Sequence, residues 1–286
     1  MENMENALEI RGLCKQYDGF ALENVDITLP RGVVMGFIGE NGAGKTTTIK
    51  SVLNLIARNA GSIRVLGLDN VQDERAVKER IGVVLEDSCF LNTMSARQVD
   101  TLMGKAYRSW NGAQFMGYIE RFGIDPKKKI KDYSKGMRMK ISIAAALSHG
   151  AELLIMDEPT SGLDPVVRDE VLDLFYEFMQ DETHAILLSS HITSDLDKIA
   201  DYITFIHKGR VLLSEPRDEL LDTYGVLHCT AEQLSALDPS VVRAKRTGSF
   251  GCEALVRRDG VPANWQVERA SIEDIMLLMT KGESVQ

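Results

Sequence analysis

The sequence predicts an α/β fold, a parallel sheet with helices on both faces. Two observations predict it. Short continuous apolar runs at 33–38, 81–85, 153–156 and 186–188 are separated by stretches of helical character, and strands buried on both faces read as such runs. Residues that carry chemistry stand just beyond each run. Gly39 opens a glycine-rich loop, Glu86 follows the second run, Asp157 and Glu158 the third, and His191 lies past the fourth. Open α/β sheets bind ligands at the carboxyl ends of their strands, so all four groups are expected along one edge of one sheet.

In chain order, 8–29 reads as alternating strands. Val25, Ile27 and Leu29 alternate with Asn24, Asp26 and Thr28, and Pro30 ends the pattern. The run at 33–38 is a core strand, and a helix over 46–57 follows the glycine loop. From about 87 to 150 the chain reads as a helical insertion, with helices at 95–109 and 112–122. Met137, Ile141, Ala144 and Ala145 within it share one helical face. The lysine-rich 127–131 reads as a solvated turn. Beyond Gly209 and Arg210 the character shifts to a short helix at 217–224, weak strands at 226–230 and 253–258, and a last helix over 271–279. Ser271 with Glu273 and Asp274 supplies the start of that helix, and Met276 and Met279 read as its packed face. The expected division is one large domain, 1–215, and an accessory domain, 216–286.

A chain of 286 residues with 44% hydrophobic and 26% charged residues fits this division. The net charge of −9 argues against general nucleic-acid binding, which needs a basic footprint. No apolar run approaches the roughly 18–20 residues that span a bilayer, and the acidic first residues do not read as a signal peptide. Cys14, Cys89, Cys229 and Cys252 are scattered, with no metal-ligand spacing.

Gly39, Glu40, Asn41, Gly42, Ala43, Gly44, Lys45 and Thr46 fit GxxxxGK[ST]. Glycines let successive backbone N–H groups point into one anion-sized hollow, and the following helix adds its positive N-terminus. Lys45 reaches β- and γ-phosphates, while the Thr46 hydroxyl suits Mg2+. The apolar strand before the loop and the helix after it supply the required context. In the run ending at Asp157 and Glu158, neighbouring acids point to different sides and can take different roles. Asp157 would hold Mg2+, and Glu158 would orient or deprotonate the attacking water.

Together Tyr17, GENGAGKTT at 39–47, YSKGMRMK at 133–140, LLIMDEPTSGLDP at 153–165 and His191 resemble the ABC ATPase family in order and spacing. The resemblance covers residues 7 to about 215. It implies an ATP- and Mg2+-dependent ATPase with a parallel-sheet core, an antiparallel β subdomain, the helical insertion and a small α+β appendage. Tyr17 would stack on adenine, with Thr47 beside the phosphates. Ser134, Lys135, Gly136 and Met137 would touch the nucleotide held by a second subunit, Asp164 would lie in the loop crossing that interface, and His191 would hydrogen-bond the γ-phosphate. Glu86 stands where the family has glutamine and would serve as a metal ligand. Lys135 stands in place of glycine and Met137 in place of glutamine. Glu86 implies altered metal dependence or slower turnover, and a cationic contact from Lys135 to the partner's ATP would partly offset its charge.

The resemblance further implies an ATPase dimer, homo- or heteromeric, powering a separate multi-helix membrane permease. The chain would be cytoplasmic, peripheral on the inner membrane face through that permease, with the insertion docking the permease. The length, the SKGM signature and the appendage look like exporter ATPases for antimicrobial or amphipathic peptides. The alternatives are a soluble non-transport ATPase, as in cluster assembly or repair, and a weakly hydrolysing regulatory subunit.

Overall fold

The computed structural model describes residues 6–85, 90–248 and 251–284. Glu86 lies outside them. The chain opens with the antiparallel hairpin β1 (Leu8–Tyr17) and β2 (Phe20–Leu29), then β3 (Val34–Ile38), buried at every position. Helix α1 (Lys45–Val52) follows the glycine loop. It stops short of the expected residue 57 for a local reason. Asn54 adopts φ 53°, a left-handed geometry that asparagine tolerates and that ends helices. The Asn70 amide then donates to the Ser51 and Val52 carbonyls at 2.9 Å each, satisfying the helix end.

Strands β4 (Ala60–Val65) and β5 (Leu68–Asp69) complete a four-stranded sheet in the order β2-β1-β4-β5. After α2 (Glu74–Arg80) and β6 (Ile81–Val84) come the helices of the insertion, α3 (Ala96–Ala106), α4 (Gly112–Arg121) and α5 (Lys135–Leu147). The main sheet resumes with β7 (Leu153–Asp157), α6 (Pro165–Phe178), β8 (Ala185–Ser190), α7 (Thr193–Ile199), β9 (Tyr202–His207) and β10 (Arg210–Pro216). Its order is β10-β9-β3-β8-β7-β6. All its pairings are parallel except β9 with the edge strand β10.

Both faces of this sheet are covered. Met35, Phe37, Ile155 and Leu187 pack toward α1 and the first hairpin. Val34, Ile38, Leu154, Met156, Ile186 and Leu188 join α6 and α7 on the other side. Each large side chain buried this way contributes about 1.5–3 kcal/mol. Helix α5 is buried on two sides at once. Ile141, Ala144 and Ala145 face Phe115, Ile119 and Tyr133 of the insertion, whereas Met139, Ile143, Ala146 and Leu147 belong to the main core.

The chain continues through α8 (Arg217–Thr223), β11 (Tyr224–Cys229), α9 (Ala231–Ser235), β12 (Val242–Gly248), β13 (Gly251–Arg257), β14 (Glu268–Arg269), α10 (Ile272–Lys281) and β15 (Glu283–Ser284). These strands form one sheet in the order β14-β11-β13-β12-β15. Its inner side chains, with Ile272, Ile275, Leu278 and Met279 of α10, share a core with Leu196 and Ile199 of α7 and with Ala200 just after it.

Candidate functional site

The glycine loop sits between β3 and α1, and two of its glycines are dictated by space. A Cβ on Gly39 would lie 2.4 Å from the Ile206 carbonyl oxygen. Gly44 adopts φ +117°, and a Cβ there would lie 2.6 Å from Leu22 Cδ2. Ala43 is buried and anchored, its carbonyl accepting from the Gly209 N–H at 2.9 Å. Glu40 and Asn41 are exposed at the loop crest, and Thr47 is half-buried in the first turn of α1.

Lys45 is only 6% exposed. Its ammonium donates to the Gly39 carbonyl at 2.6 Å and stands 3.5 Å from Glu158 Oε1. That second approach is an ion pair without a hydrogen bond, so Glu158 Oε1 remains a buried oxygen with no donor. The other oxygen, Oε2, accepts from His191 Nδ1 at 2.6 Å. Asp157, the last residue of β7, has partners of its own. It accepts from the Thr46 hydroxyl at 2.8 Å and from Ser189 Oγ at 2.5 Å. Glu158 takes φ 54°, costing about 1–3 kcal/mol in a residue other than glycine. Its N–H is held by the Ser189 carbonyl and hydroxyl, each at 3.1 Å.

Sequence reasoning missed Ser189. Its one hydroxyl both fixes Asp157 and accepts from Glu158, and the available signal was a pair of serines closing an otherwise apolar strand. It also missed Phe20. A cleft of about 480 Å3 opens over the glycine loop, walled by Gly19, Phe20, Asn41, Lys45, Thr47 and Glu158 among others. Tyr17 is not among these walls. It is 43% exposed, with the Lys15 ammonium 5.0 Å over its ring, and it pairs across the hairpin with Phe20.

Ser134, Lys135, Gly136 and Met137 form a second cluster. Ser134 caps α5, its hydroxyl accepting from the Met137 N–H at 3.2 Å. Gly136 abuts Val167, 3.3 Å from where its Cβ would stand. The Lys135 ammonium lies 2.7 Å from where a Gly162 Cβ would stand, against this chain's own loop. Asp164 caps α6 through the N–H groups of Val166 at 3.2 Å and Val167 at 3.1 Å. Among the described residues no hydrogen bond or ion pair joins Ser134, Lys135, Gly136 or Met137 to the glycine loop, Asp157, Glu158 or His191. The structure thus gathers Lys45, Thr46, Asp157, Glu158 and His191 at one edge and leaves the signature residues apart.

A phosphate-binding loop, a buried lysine and two divergent carboxylates at the edge of a parallel sheet define a P-loop nucleotide-hydrolysing domain. Residues 22–161 match the family described as ABC transporter. Over 220 residues the chain is 33% identical to the bacitracin transport ATP-binding protein BcrA of Bacillus licheniformis, covering 76% of this chain and 72% of the relative. It is 33% identical over 218 residues to the lantibiotic transport ATP-binding protein SrtF of Streptococcus pyogenes, covering 74% and 91%. A solved ATP-binding subunit of an ABC transporter superposes with TM-score 0.68 at 26% identity, covering 75% of this chain and 91% of that one. The chain belongs to the ABC transporter family, as an ATP-binding and ATP-hydrolysing subunit of the exporter type. The soluble, non-transport alternative is not favoured by relatives named for transport and drug resistance.

Proposed function

We propose that two such subunits close around two ATP molecules and drive antimicrobial or amphipathic peptides outward through a separate multi-helix permease. The permease would hold the chain at the inner face of the membrane, and among the described residues no helix is long and apolar enough to cross it. The observation that carries the reading is the split site. Residues suited to phosphate chemistry and the signature residues lie on one chain without hydrogen bonds or ion pairs between them, so a second chain would complete each site. The peptide class is taken from the bacitracin and lantibiotic relatives. We assign residues 1–215 to the ATPase domain, with its insertion at about 87–150, and 216–286 to an accessory domain.

The donor set fits Mg2+. Thr46 Oγ1 and Asp157 Oδ2 are hard oxygen donors 2.8 Å apart. Thr46 and Asp157 would hold the ion, joined by Glu86 from the sequence pattern. When bound, it neutralises charge on the phosphate oxygens. Lys45 would exchange its Gly39 and Glu158 contacts for those oxygens. The Glu158 carboxylate would take the proton of the attacking water, and His191 would hold that carboxylate in place. The test is to purify the tagged chain from detergent-solubilised membranes and reconstitute what co-purifies into vesicles. The expected outcome is a stoichiometric multi-helix partner and ATP-dependent movement of a bacitracin- or lantibiotic-type peptide. Recovery with cytosolic partners alone would overturn the transport reading.

A further inference from the structure

Helices α6 and α7 lie side by side, and two ion pairs of opposite character cross their seam. At the outer end the exposed Lys198 ammonium lies 3.0 Å from Asp169, and the Tyr176 hydroxyl donates to the Lys198 carbonyl at 2.5 Å. At the inner end Asp195 is 2% exposed, yet Arg168 stays 3.8 Å away. Asp195 Oδ2 and Arg168 Nε are both buried without a hydrogen-bond partner. Buried polar groups are normally bonded, and an incompletely paired buried charge costs several kcal/mol. The seam is therefore closed at its exposed end and slack where Asp195 is buried beside a partly exposed Arg168.

The slack end has a particular address. Arg168 stands one turn into α6, its N–H bonded to the Asp164 carbonyl at 3.0 Å. Asp195 stands in the first turn of α7, four residues beyond His191, its N–H bonded to the Ile192 carbonyl at 3.3 Å. Arg168 thus lies one turn behind Asp164, and Asp195 follows His191 across the start of α7. A shift of the start of α7 toward α6, pivoting on the Tyr176 and Lys198 contacts, would draw the guanidinium and carboxylate into a two-bond fork. It would carry His191 with it, and so the 2.6 Å hydrogen bond to Glu158.

We propose that Arg168 and Asp195 are positioning residues for ATP hydrolysis, closing from 3.8 Å into a forked pair that sets His191 against Glu158 for turnover. This rests on Glu158 and His191 serving the hydrolytic step. A pair that only fills space would be replaceable by apolar side chains, since such swaps of buried ion pairs are often neutral or stabilising. A positioning pair would not be replaceable.

The test is Arg168→Met/Asp195→Val in the full chain, read by thermal unfolding, ATP affinity and steady-state ATPase kinetics. The expected result is an unfolding midpoint at or above that of the unsubstituted chain, ATP affinity within about twofold, and kcat lower by about tenfold or more, the scale expected of a small misplacement. Arg168→Lys keeps the charge but cannot form the fork, so its kcat should fall between those of the unsubstituted chain and the double variant. If the double variant does not fold, Asp195→Asn alone removes the charge at constant shape and should show the same split between kcat and affinity. A folded apolar pair with unchanged kcat would overturn the proposal, as would a parallel loss of affinity and turnover. An unsubstituted chain that bound ATP without hydrolysing it would instead overturn the role of Glu158 and His191.

Discussion

Strand β7 has a glutamate just before it and another just after it, and the fold treats them in opposite ways. Glu152, at the amino end, is saturated. Arg80 donates to it at 2.5 and 2.8 Å and Arg31 at 2.9 Å, tying the turn before β3 to the start of β6. Glu158, at the carboxyl end, has left-handed backbone, one hydrogen bond to His191 and one buried oxygen with no donor. The other buried side-chain atoms without partners among the described residues belong to Tyr133, Arg168 and Asp195. None lies in the sheet of β11 to β15. Glu158 combines both kinds of departure, a strained backbone and an unpartnered buried oxygen, as expected where a site must bind something the chain itself does not supply.

The comparison is broken most directly by Glu158→Gln. Removing the base should lower kcat about a hundredfold or more and leave urea unfolding nearly unchanged, because the carboxylate was never fully paired. Glu152→Gln should do the reverse, costing about 2 kcal/mol of stability with kcat preserved. Its effect should depend on pH with a definite sign. Arg80 foremost holds the Glu152 carboxyl below its ordinary value, opposed by burial and aided by Arg31. A depressed pKa adds stability that is complete above the unfolded value, about 4.3, and is lost as pH falls through the folded value. The gap between Glu152→Gln and the unsubstituted chain should therefore be full at neutral pH and close in acid, as urea titrations at several pH values would read.

Ser189→Ala sharpens the contrast from within the site. Loss of the hydroxyl shared by Asp157 and Glu158 should lower kcat about tenfold, a barrier change of about 1.4 kcal/mol. The smallest effect is expected far from it. Ser271 accepts from the Asp274 N–H at 3.1 Å in a capping box at the start of α10. Ser271→Ala should cost about 1 kcal/mol in thermal unfolding and leave ATPase rates unchanged.

Much of the carboxyl-edge pattern was legible because each element is local. A glycine loop, an apolar strand ending in two acids and a histidine past a strand need only neighbours in sequence. What escaped depends on partners far along the chain. The double role of Ser189 follows from the pairing of β7 with β8, and Phe20 reaches the cleft only because the first hairpin folds over the loop. Strand β12 was missed because Arg243, Lys245 and Arg246 interrupt its apolar positions, although Val242 and Ala244 are buried. The run at 127–131 opens as a turn, its Lys127 N–H bonded to Asp125 at 2.9 Å, and ends in a short 3-10 helix at Ile130–Asp132 whose Ile130 is buried.

The core shared by α7 and α10 also constrains how such proteins can diversify. A recombination that exchanged the accessory sheet between two relatives would import an α10 face shaped for a different α7. Leu196 and Ile199 would then meet unfamiliar neighbours, one helix away from the histidine of the ATP site. Successful exchanges should carry α7 along with the accessory sheet, so the natural crossover point lies upstream of the apparent domain boundary.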